Sequence, residues 1–409
     1  MGLAKCALAL ASSIIAGVVV AVAPATAATP TPAAACNGTW TDVPSYNHSQ
    51  LAGEIDSLTA VAALSATDQW AVGYWLQFPD QYTFHTLVEH WDGSSSGWTV
   101  VSSPNGQFRN SYLSGIAVIS PDDVWAVGAT DQSGPPYESL VEHWDGTSWS
   151  IVSAASFPGL LYSVVALGPS NIWAVGTRNF PGSALIEHWD GTSWSAQYLR
   201  TTASLRGVTA SAANDVWAVG YEWGSTGITA GIETTFTVHF NGRRWMQVPS
   251  PSPLTRFAQD QSWLTAVTST GAKDVWAVGW FGDADRGING QTLIEHFNGS
   301  HWTVVPSPNP TPQPGAPSQS DSLWGAAAVG PADIWAVGSI GGTLDVNPDT
   351  QPLVARWDGT SWTASSAAPN QSGQLLGVAA EPEGSGLSAV GDTDTTVFLS
   401  TLAEHLCPG

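Results

Sequence analysis

Residues 123–149 open with Asp123-Val124-Trp125-Ala126-Val127-Gly128 and close with Leu140-Val141-Glu142-His143-Trp144-Asp145-Gly146-Thr147-Ser148-Trp149, a variable link lying between. The first run is apolar without alternation, the pattern of a strand covered on both faces. The second joins two short apolar runs through Asp-Gly-Thr-Ser, a tight turn. Both motifs recur. The first begins just before Trp70, Trp125, Trp173, Trp217, Trp276 and Trp335, with a decayed seventh copy at Leu387-Ser388-Ala389-Val390-Gly391. The second runs from Leu87 to Trp98, Leu140 to Trp149, Leu185 to Trp194, Thr237 to Trp245, Leu293 to Trp302 and Leu353 to Trp362, and a seventh copy stops short at Leu402-Ala403-Glu404-His405-Leu406-Cys407. The period of about 53 residues is roughly double that of a linear solenoid.

Each unit holds four apolar runs; in the second they are Leu113 to Ile119, Val124 to Gly128, Leu140 to Trp144 and Trp149 to Val152. The first run is rich in small residues, as in Leu58-Thr59-Ala60-Val61-Ala62-Ala63, which suits an innermost strand crowded near an axis. The pattern predicts an all-β fold: a seven-bladed β-propeller of four-stranded antiparallel blades. The termini predict how it closes. Cys36-Asn37-Gly38-Thr39-Trp40-Thr41 aligns with Phe297-Asn298-Gly299-Ser300-His301-Trp302, so the N-terminus supplies the outer strand that the C-terminal unit lacks. Cys36 and Cys407 then fall in one turn, and a disulfide between them would fasten the ring.

Composition narrows the partners. The 409 residues carry 11 Lys and Arg against 33 Asp and Glu, a formal charge of -22. A nucleic-acid binder needs clustered Lys and Arg, so nucleic acid is not expected. Residues 1–27 hold Lys5, an apolar stretch from Ala7 to Val22 and Ala25-Thr26-Ala27 before a cleavage point. They read as a signal peptide, with a membrane anchor as the alternative. Residues 28–35 form a short Ala/Pro/Thr-rich segment, and 36–409 a single propeller domain. A secreted, extracellular monomer with no membrane insertion is expected; the rival reading makes Cys36 a lipidation site.

The four-stranded repeat resembles the kelch and Asp-box (BNR-like) families of β-propellers, and the Trp-Asp-Gly-Thr-Ser-Trp turn is similar to that of propeller lectins. The resemblance implies a rigid propeller whose loops bind a ligand. The glycine pair that opens a kelch motif is missing, and Asp145-Gly146-Thr147-Ser148-Trp149 is one residue tighter than an Asp-box turn. Sialidase and galactose-oxidase chemistry are therefore not carried over.

Glu-His recurs at Glu89-His90, Glu142-His143, Glu187-His188, Glu295-His296 and Glu404-His405, with His239 alone in the fourth unit. A group repeated in nearly every blade reads as an internal hydrogen bond holding the sheet together. Of 22 Trp, five lie outside the motifs: Trp75, Trp223, Trp263, Trp280 and Trp324. Links from first to second strand and from third to fourth are short and share one face. The remaining links are long and irregular and share the other, where binding usually resides. One variable position near the start of the inner strand reads Thr59, Ser114, Tyr162, Arg206, Thr265, Trp324 and Leu376.

The ligand-binding residues expected are Tyr162, Arg206 and Trp324 at the channel mouth, with Trp75, Trp223 and Trp280 as outlying platforms. Aromatic faces with one Arg suit a sugar or a carboxylate, although the same side chains could simply plug a narrow channel. Alternating oxygens at Asp283, Asp285 and Asn289, and at Asp345, Asn347 and Asp349, have the spacing of a calcium loop. No Ser-His-Asp order, zinc motif or phosphate loop stands out, and the catalytic residues are unassigned. The function expected is carbohydrate binding, lectin-like, with two alternatives: a glycoside hydrolase or polysaccharide lyase, and an extracellular protein-interaction scaffold.

Overall fold

The computed structural model describes residues 39–47, 55–77, 83–155, 158–178, 182–224, 231–257, 259–283, 288–310, 320–341, 350–367, 372–382, 386–395 and 398–406. The signal-like leader, the segment 28–35, and both Cys36 and Cys407 lie outside these residues.

Among the described residues all regular structure of any length is β. After β1 (Trp40–Asp42) come β2 (Ile55–Ser65), β3 (Asp68–Gln77), β4 (Thr83–Trp91) and β5 (Thr99–Val100), antiparallel in sequence order. The order repeats in β6 (Asn110–Ser120), β7 (Asp123–Asp131), β8 (Glu138–Trp144) and β9 (Trp149–Ile151), then in β10 (Leu160–Ala166), β11 (Ile172–Arg178), β12 (Ser183–Trp189) and β13 (Trp194–Tyr198). It continues through β14 (Ala203–Ala212), β15 (Asp215–Trp223), β16 (Glu233–Phe240) and β17 (Trp245–Gln247), and through β18 (Gln261–Gly271), β19 (Asp274–Asp283), β20 (Ile288–Phe297) and β21 (Trp302–Val305). Next stand β22 (Ser322–Gly330), β23 (Asp333–Ile340), β24 (Gln351–Trp357) and β25 (Trp362–Ser366). The last group, β26 (Gln374–Ala380), β27 (Leu387–Thr395) and β28 (Phe398–Leu406), takes β1 as its fourth strand, with Trp40 opposite Leu406, Thr41 opposite His405 and Asp42 opposite Glu404. Single parallel pairs, Ile55 beside Leu399 and Glu233 beside Gln261, link two neighbouring groups at each of two places.

The first strands pack side by side in the succession β2, β6, β10, β14, β18, β22, β26 and back to β2. This explains their small residues. The Val-Trp-Ala-Val run of the second strand is buried throughout, as in Val124, Trp125, Ala126 and Val127, because neighbouring groups cover both of its faces. The Trp of that run reaches into the next group: Trp125 lies 5.1 Å from Trp189 and 5.7 Å from Trp194, and Trp217 lies 4.6 Å from Phe297 and 5.5 Å from Trp302. Where the sequence comes round, Trp335 meets Trp40 of the N-terminal strand at 5.9 Å. Motif Trp residues are thus bolts between groups as well as core.

The glycine ending the motif has a steric cause. A Cβ built on Gly128 would stand 2.0 Å from the Tyr112 carbonyl oxygen, a distance no side chain tolerates. Gly128 pairs with Leu113, and the register slips between Leu113 and Gly115, leaving Ser114 as the extra residue of a β-bulge. The same slip occurs in every first strand and frees Thr59, Tyr162, Arg206, Thr265, Trp324 and Leu376. The variable position found in the sequence is therefore a ring of bulges on the innermost strands.

Candidate functional site

Two sets of polar side chains recur around the molecule, and they behave differently. The third-strand His donates Nε2–H to an acid at the start of the second strand: His90 to Asp68 at 2.9 Å, His143 to Asp123 at 2.9 Å, His239 to Asp215 at 2.6 Å and His296 to Asp274 at 2.7 Å. In β12 the acceptor is the Asn171 amide oxygen at 2.9 Å, and burial pushes the His188 pKa down. His405 uses Glu381 at 2.7 Å, and β24 substitutes Arg356, which donates to Asp333 at 2.8 Å. Each imidazole except that of His405 also lies against the motif Trp of its own sheet, for example 4.1 Å between the Trp276 and His296 rings, and His405 meets Trp91 of the next group at 5.1 Å. This is the sheet-internal bond read from the sequence. Its uniformity marks it as framework.

The adjoining Glu does something else. Glu89, Glu142, Glu187 and Glu295 are fully buried, and those with described donors face the chain that precedes their own sheet. Glu89 accepts from the Tyr46 amide at 3.3 Å; Glu187 accepts from the Ser139 hydroxyl at 3.0 Å and the Ala155 amide at 3.3 Å. The blade-internal reading of Glu-His therefore holds for the His and not for Glu89 and Glu187, which bridge consecutive groups. Burial raises their pKa values, to about 8 for Glu89 and Glu142 and about 7 for Glu187, with Glu295 well above its ordinary value.

The ring of bulges carries the candidate site. Thr59 and Thr265 spend their hydroxyls on the backbone, donating to Leu113 O at 2.8 Å and Leu323 O at 2.7 Å on the next first strand. Arg206 is surrounded by aromatic faces. Its guanidinium carbon stands 3.9 Å from the Tyr162 ring centroid and 5.5 Å from those of Tyr221 and Trp263. Tyr221 and Trp263 stack in parallel, 4.1 Å apart with 6° between planes, and Trp280 follows at 5.3 Å from Trp263. The Trp263 indole and the Gln261 amide both donate to Glu233, whose carboxyl is raised chiefly by burial. Arg206 Nε is shielded from solvent and meets no protein acceptor. Its Nη2 donates to the Tyr221 hydroxyl at 3.4 Å, which leaves Nε as the unmatched donor, and a cation held between π faces is stabilised by their quadrupoles.

Of the six residues expected to bind ligand, the structure brings Tyr162 and Arg206 into contact and sets Trp280 next to them through Trp263. Trp324 occupies the bulge of β22, half-buried, its indole nitrogen without a protein acceptor. No described ring contact joins it to the Arg206 cluster. Trp75 stacks on His85 at 4.3 Å, and Trp223 ends β15 with its amide bonded to Thr202 O. Tyr221 and Glu233 were missed. Tyr221 directly follows the Val-Gly of its motif, as Tyr74 does, so its signal was hidden inside the repeat. Of the calcium candidates, Asp283 is buried at the end of β19. Asp285, Asp345, Asn347 and Asp349 lie outside the described residues, as does the side chain of Asn289. Among the described residues no group of three or more His, Cys, Asp or Glu could hold a metal ion.

Strand order, the succession of first strands and closure by β1 define a class, the β-propellers. One solved structure agrees in fold. The chain is similar to YCF48 bound to D1 peptide, with a TM-score of 0.53 and 16% identity over 93% of this chain and 99% of that one. It also matches the Cps50 (Swd1) β-propeller domain of Myceliophteria thermophila, with a TM-score of 0.49 and 10% identity over 85% of this chain and 96% of that one. No family model matches the chain, and no curated protein does.

Proposed function

We propose that this chain is a secreted seven-bladed β-propeller, akin to the kelch and Asp-box repeat proteins and propeller lectins, that binds carbohydrate on its long-loop face. The count of seven draws on the 28 strands among the described residues, which fall in fours, and on the return of the first strands to β2. Secretion draws on the leader, and with it comes a Cys36–Cys407 bond fastening the ring as a monomer. The observation that carries the binding reading is Arg206: a guanidinium on an inner-strand bulge, flanked by Tyr162, Tyr221 and Trp263, with Nε unmatched. Aromatic faces around a few convergent donors are the usual lining of a sugar site. The second reading, a protein partner, draws on the D1 peptide bound to YCF48.

A glycan array run beside a turnover assay and a pull-down tests the proposal. Binding to glycans without release of reducing ends or unsaturated uronates is the expected result. Release of either would make the chain a hydrolase or lyase. Capture of one defined protein with neither glycan binding nor turnover would replace the carbohydrate reading with the second.

A further inference from the structure

Basic side chains are scarce here, and their placement is uneven. Strand direction puts the starts of first and third strands, and the ends of second and fourth, on the long-loop face. Arg109 immediately precedes β6, Arg178 ends β11, Arg200 lies between β13 and β14, Arg206 is on the bulge of β14, and Arg256 lies between β17 and β18. All five therefore belong to one face, across four consecutive sheet groups. Of the other described cations, Arg243, Arg244 and Lys273 sit in short turns on the opposite face, and Arg356 is bonded to Asp333.

In a chain with threefold more acids than bases, cations should find carboxylates easily. Among the described residues none of these five forms an ion pair, although Arg206 stands near enough to Glu233 for its charge to favour that carboxylate. Arg109 Nε donates to the Thr83 hydroxyl at 3.2 Å, Arg178 lies over the Tyr198 ring at 4.8 Å, and Arg206 lies among the rings already described. Arg109, Arg178, Arg200 and Arg256 are exposed.

Two carboxylates of the same arc, Asp131 and Asp260, are turned inward onto their own loops, and a third, Glu138, is held nearer the surface by a different link. Asp131 is buried and accepts from the Asn110 amide at 2.9 Å and the Ser133 backbone at 2.7 Å. Asp260 is buried and accepts from the Arg256 and Phe257 backbone amides, and Glu138 accepts from the Gln107 amide at 2.9 Å. Phe257, 52% exposed, stands beside Arg256. The arc thus presents guanidinium and aromatic surface while its acids are already bonded.

We infer that this arc recognises an acidic polysaccharide, a chain of uronate sugars whose carboxylates meet the guanidiniums and whose ring faces meet Phe257 and the Tyr162–Arg206–Tyr221 cluster. The inference rests on the proposal that the long-loop face binds carbohydrate, and adds the charge of the ligand. Guanidinium matches carboxylate through paired hydrogen bonds, and five of them over four groups suit an extended polyanion better than one small anion. The overall negative charge does not forbid this. Screening confines charge effects to about 8 Å at physiological salt, so the local arc outweighs distant acids.

Titration calorimetry on the full chain decides it, with polygalacturonate as probe, its methyl ester as the same backbone without charge, dextran as a neutral glycan and polyglutamate as an anionic peptide. Polygalacturonate should bind, weaken as salt rises, and weaken by about tenfold or more when Arg109, Arg178, Arg200 and Arg256 are together changed to Ala. Arg243→Ala with Arg244→Ala on the opposite face should change affinity by less than about twofold. A melting curve for each variant confirms that it is folded; should the fourfold variant not fold, the four single changes, each lowering affinity, take its place. Equal binding of the methyl ester or dextran, or equal loss from the opposite-face pair, would overturn the anionic inference while leaving carbohydrate binding intact. Tighter binding of polyglutamate would overturn the sugar class. Binding of none of the four, together with a blank glycan array, would remove the function itself.

Discussion

The short-turn end of each sheet and the bulge near its other end are built from the same repeat, yet one is nearly constant and the other is not. At the first, five His and one Arg make the same hydrogen bond to the start of the second strand, His405 makes its own to Glu381 just after the first strand, and these side chains lie on the motif Trp of their sheet where one is present. At the second, seven equivalent bulges carry Thr, Ser, Tyr, Arg, Thr, Trp and Leu. The backbone at the bulge is as constant as the His bond, since the Leu–Gly pair beside it never varies. Only the side chain it releases is free. A repeat fold therefore separates the two demands on its sequence: residues that recur hold the ring, and residues that differ at a fixed backbone position are available for a ligand.

The sharpest way to break the constant region is to remove one of its bolts. Trp217 is 2% exposed and touches His239 in its own sheet and Phe297 and Trp302 in the next. Trp217→Ala should cost about 3–5 kcal/mol in denaturant unfolding. A loss below about 1 kcal/mol would mean that the groups do not depend on these bolts.

The buried Glu residues give the constant region a pH dependence. Unfolded, each loses its proton near 4.5; folded, burial holds the proton until about 7 or 8 for Glu89, Glu142, Glu187 and Glu404. Between those values the folded state binds more protons, so stability falls as pH rises. Their contribution is complete below 4.5 and lost as pH rises through 7 to 8. Each unit of elevation is worth about 1.4 kcal/mol. Melting temperature should be higher at pH 5 than at pH 8.5, and Glu142→Gln should flatten the profile and stabilise the protein at the alkaline end by on the order of 2 kcal/mol. The turn acids act oppositely but weakly: Asp145, Asp190 and Asp358, held near 2 by the Thr147, Thr192 and Thr360 hydroxyls, are fully exposed and matter only in strong acid. A profile that rises steadily from pH 5 to 8.5 would contradict the buried-carboxyl account.

A smaller effect separates charge from hydrogen bonding in the His pair. Asp274 accepts from His296, from the Trp276 indole at 3.0 Å and from the Thr270 hydroxyl. Asp274→Ala strands these donors and should cost about 1–2 kcal/mol. Asp274→Asn keeps an acceptor, as Asn171 does naturally, and should cost less than about 1 kcal/mol. Equal losses would show that the carboxylate charge is what matters.

These contrasts also show what was legible in the sequence. Strand number, order and closure followed from the two motifs, because burial on both faces and tight turns leave local signatures. The place of Tyr162 and Arg206 was legible as variation at a fixed offset from Leu. Their contact was not: Arg206 meets Tyr162 on the preceding first strand and Trp263 on the following one, at separations of 44 and 57 residues. Nor was the direction of Glu187 legible. Glu and His are adjacent in sequence, but alternation along a strand sends them to opposite faces, one to its own sheet and the other to its neighbour.

The least disruptive change tests the variable region. Arg206 contributes a cation–π contact at 3.9 Å from Tyr162, and Arg206→Ala should lower stability by no more than about 1 kcal/mol. Trp324 is half-buried on its bulge, with no described ring partner, and Trp324→Ala should likewise leave the melting temperature nearly unchanged. If the bulge ring serves a ligand, glycan affinity should fall by about 1–3 kcal/mol in each variant. If these side chains instead plug the centre of the ring, the balance reverses, because truncating a packed side chain costs stability through the cavity it leaves. The two readings are thus told apart by which quantity moves. Unchanged affinity with a clearly lower melting temperature would assign Arg206 and Trp324 to the framework, and the bulge side chains would then vary for packing alone.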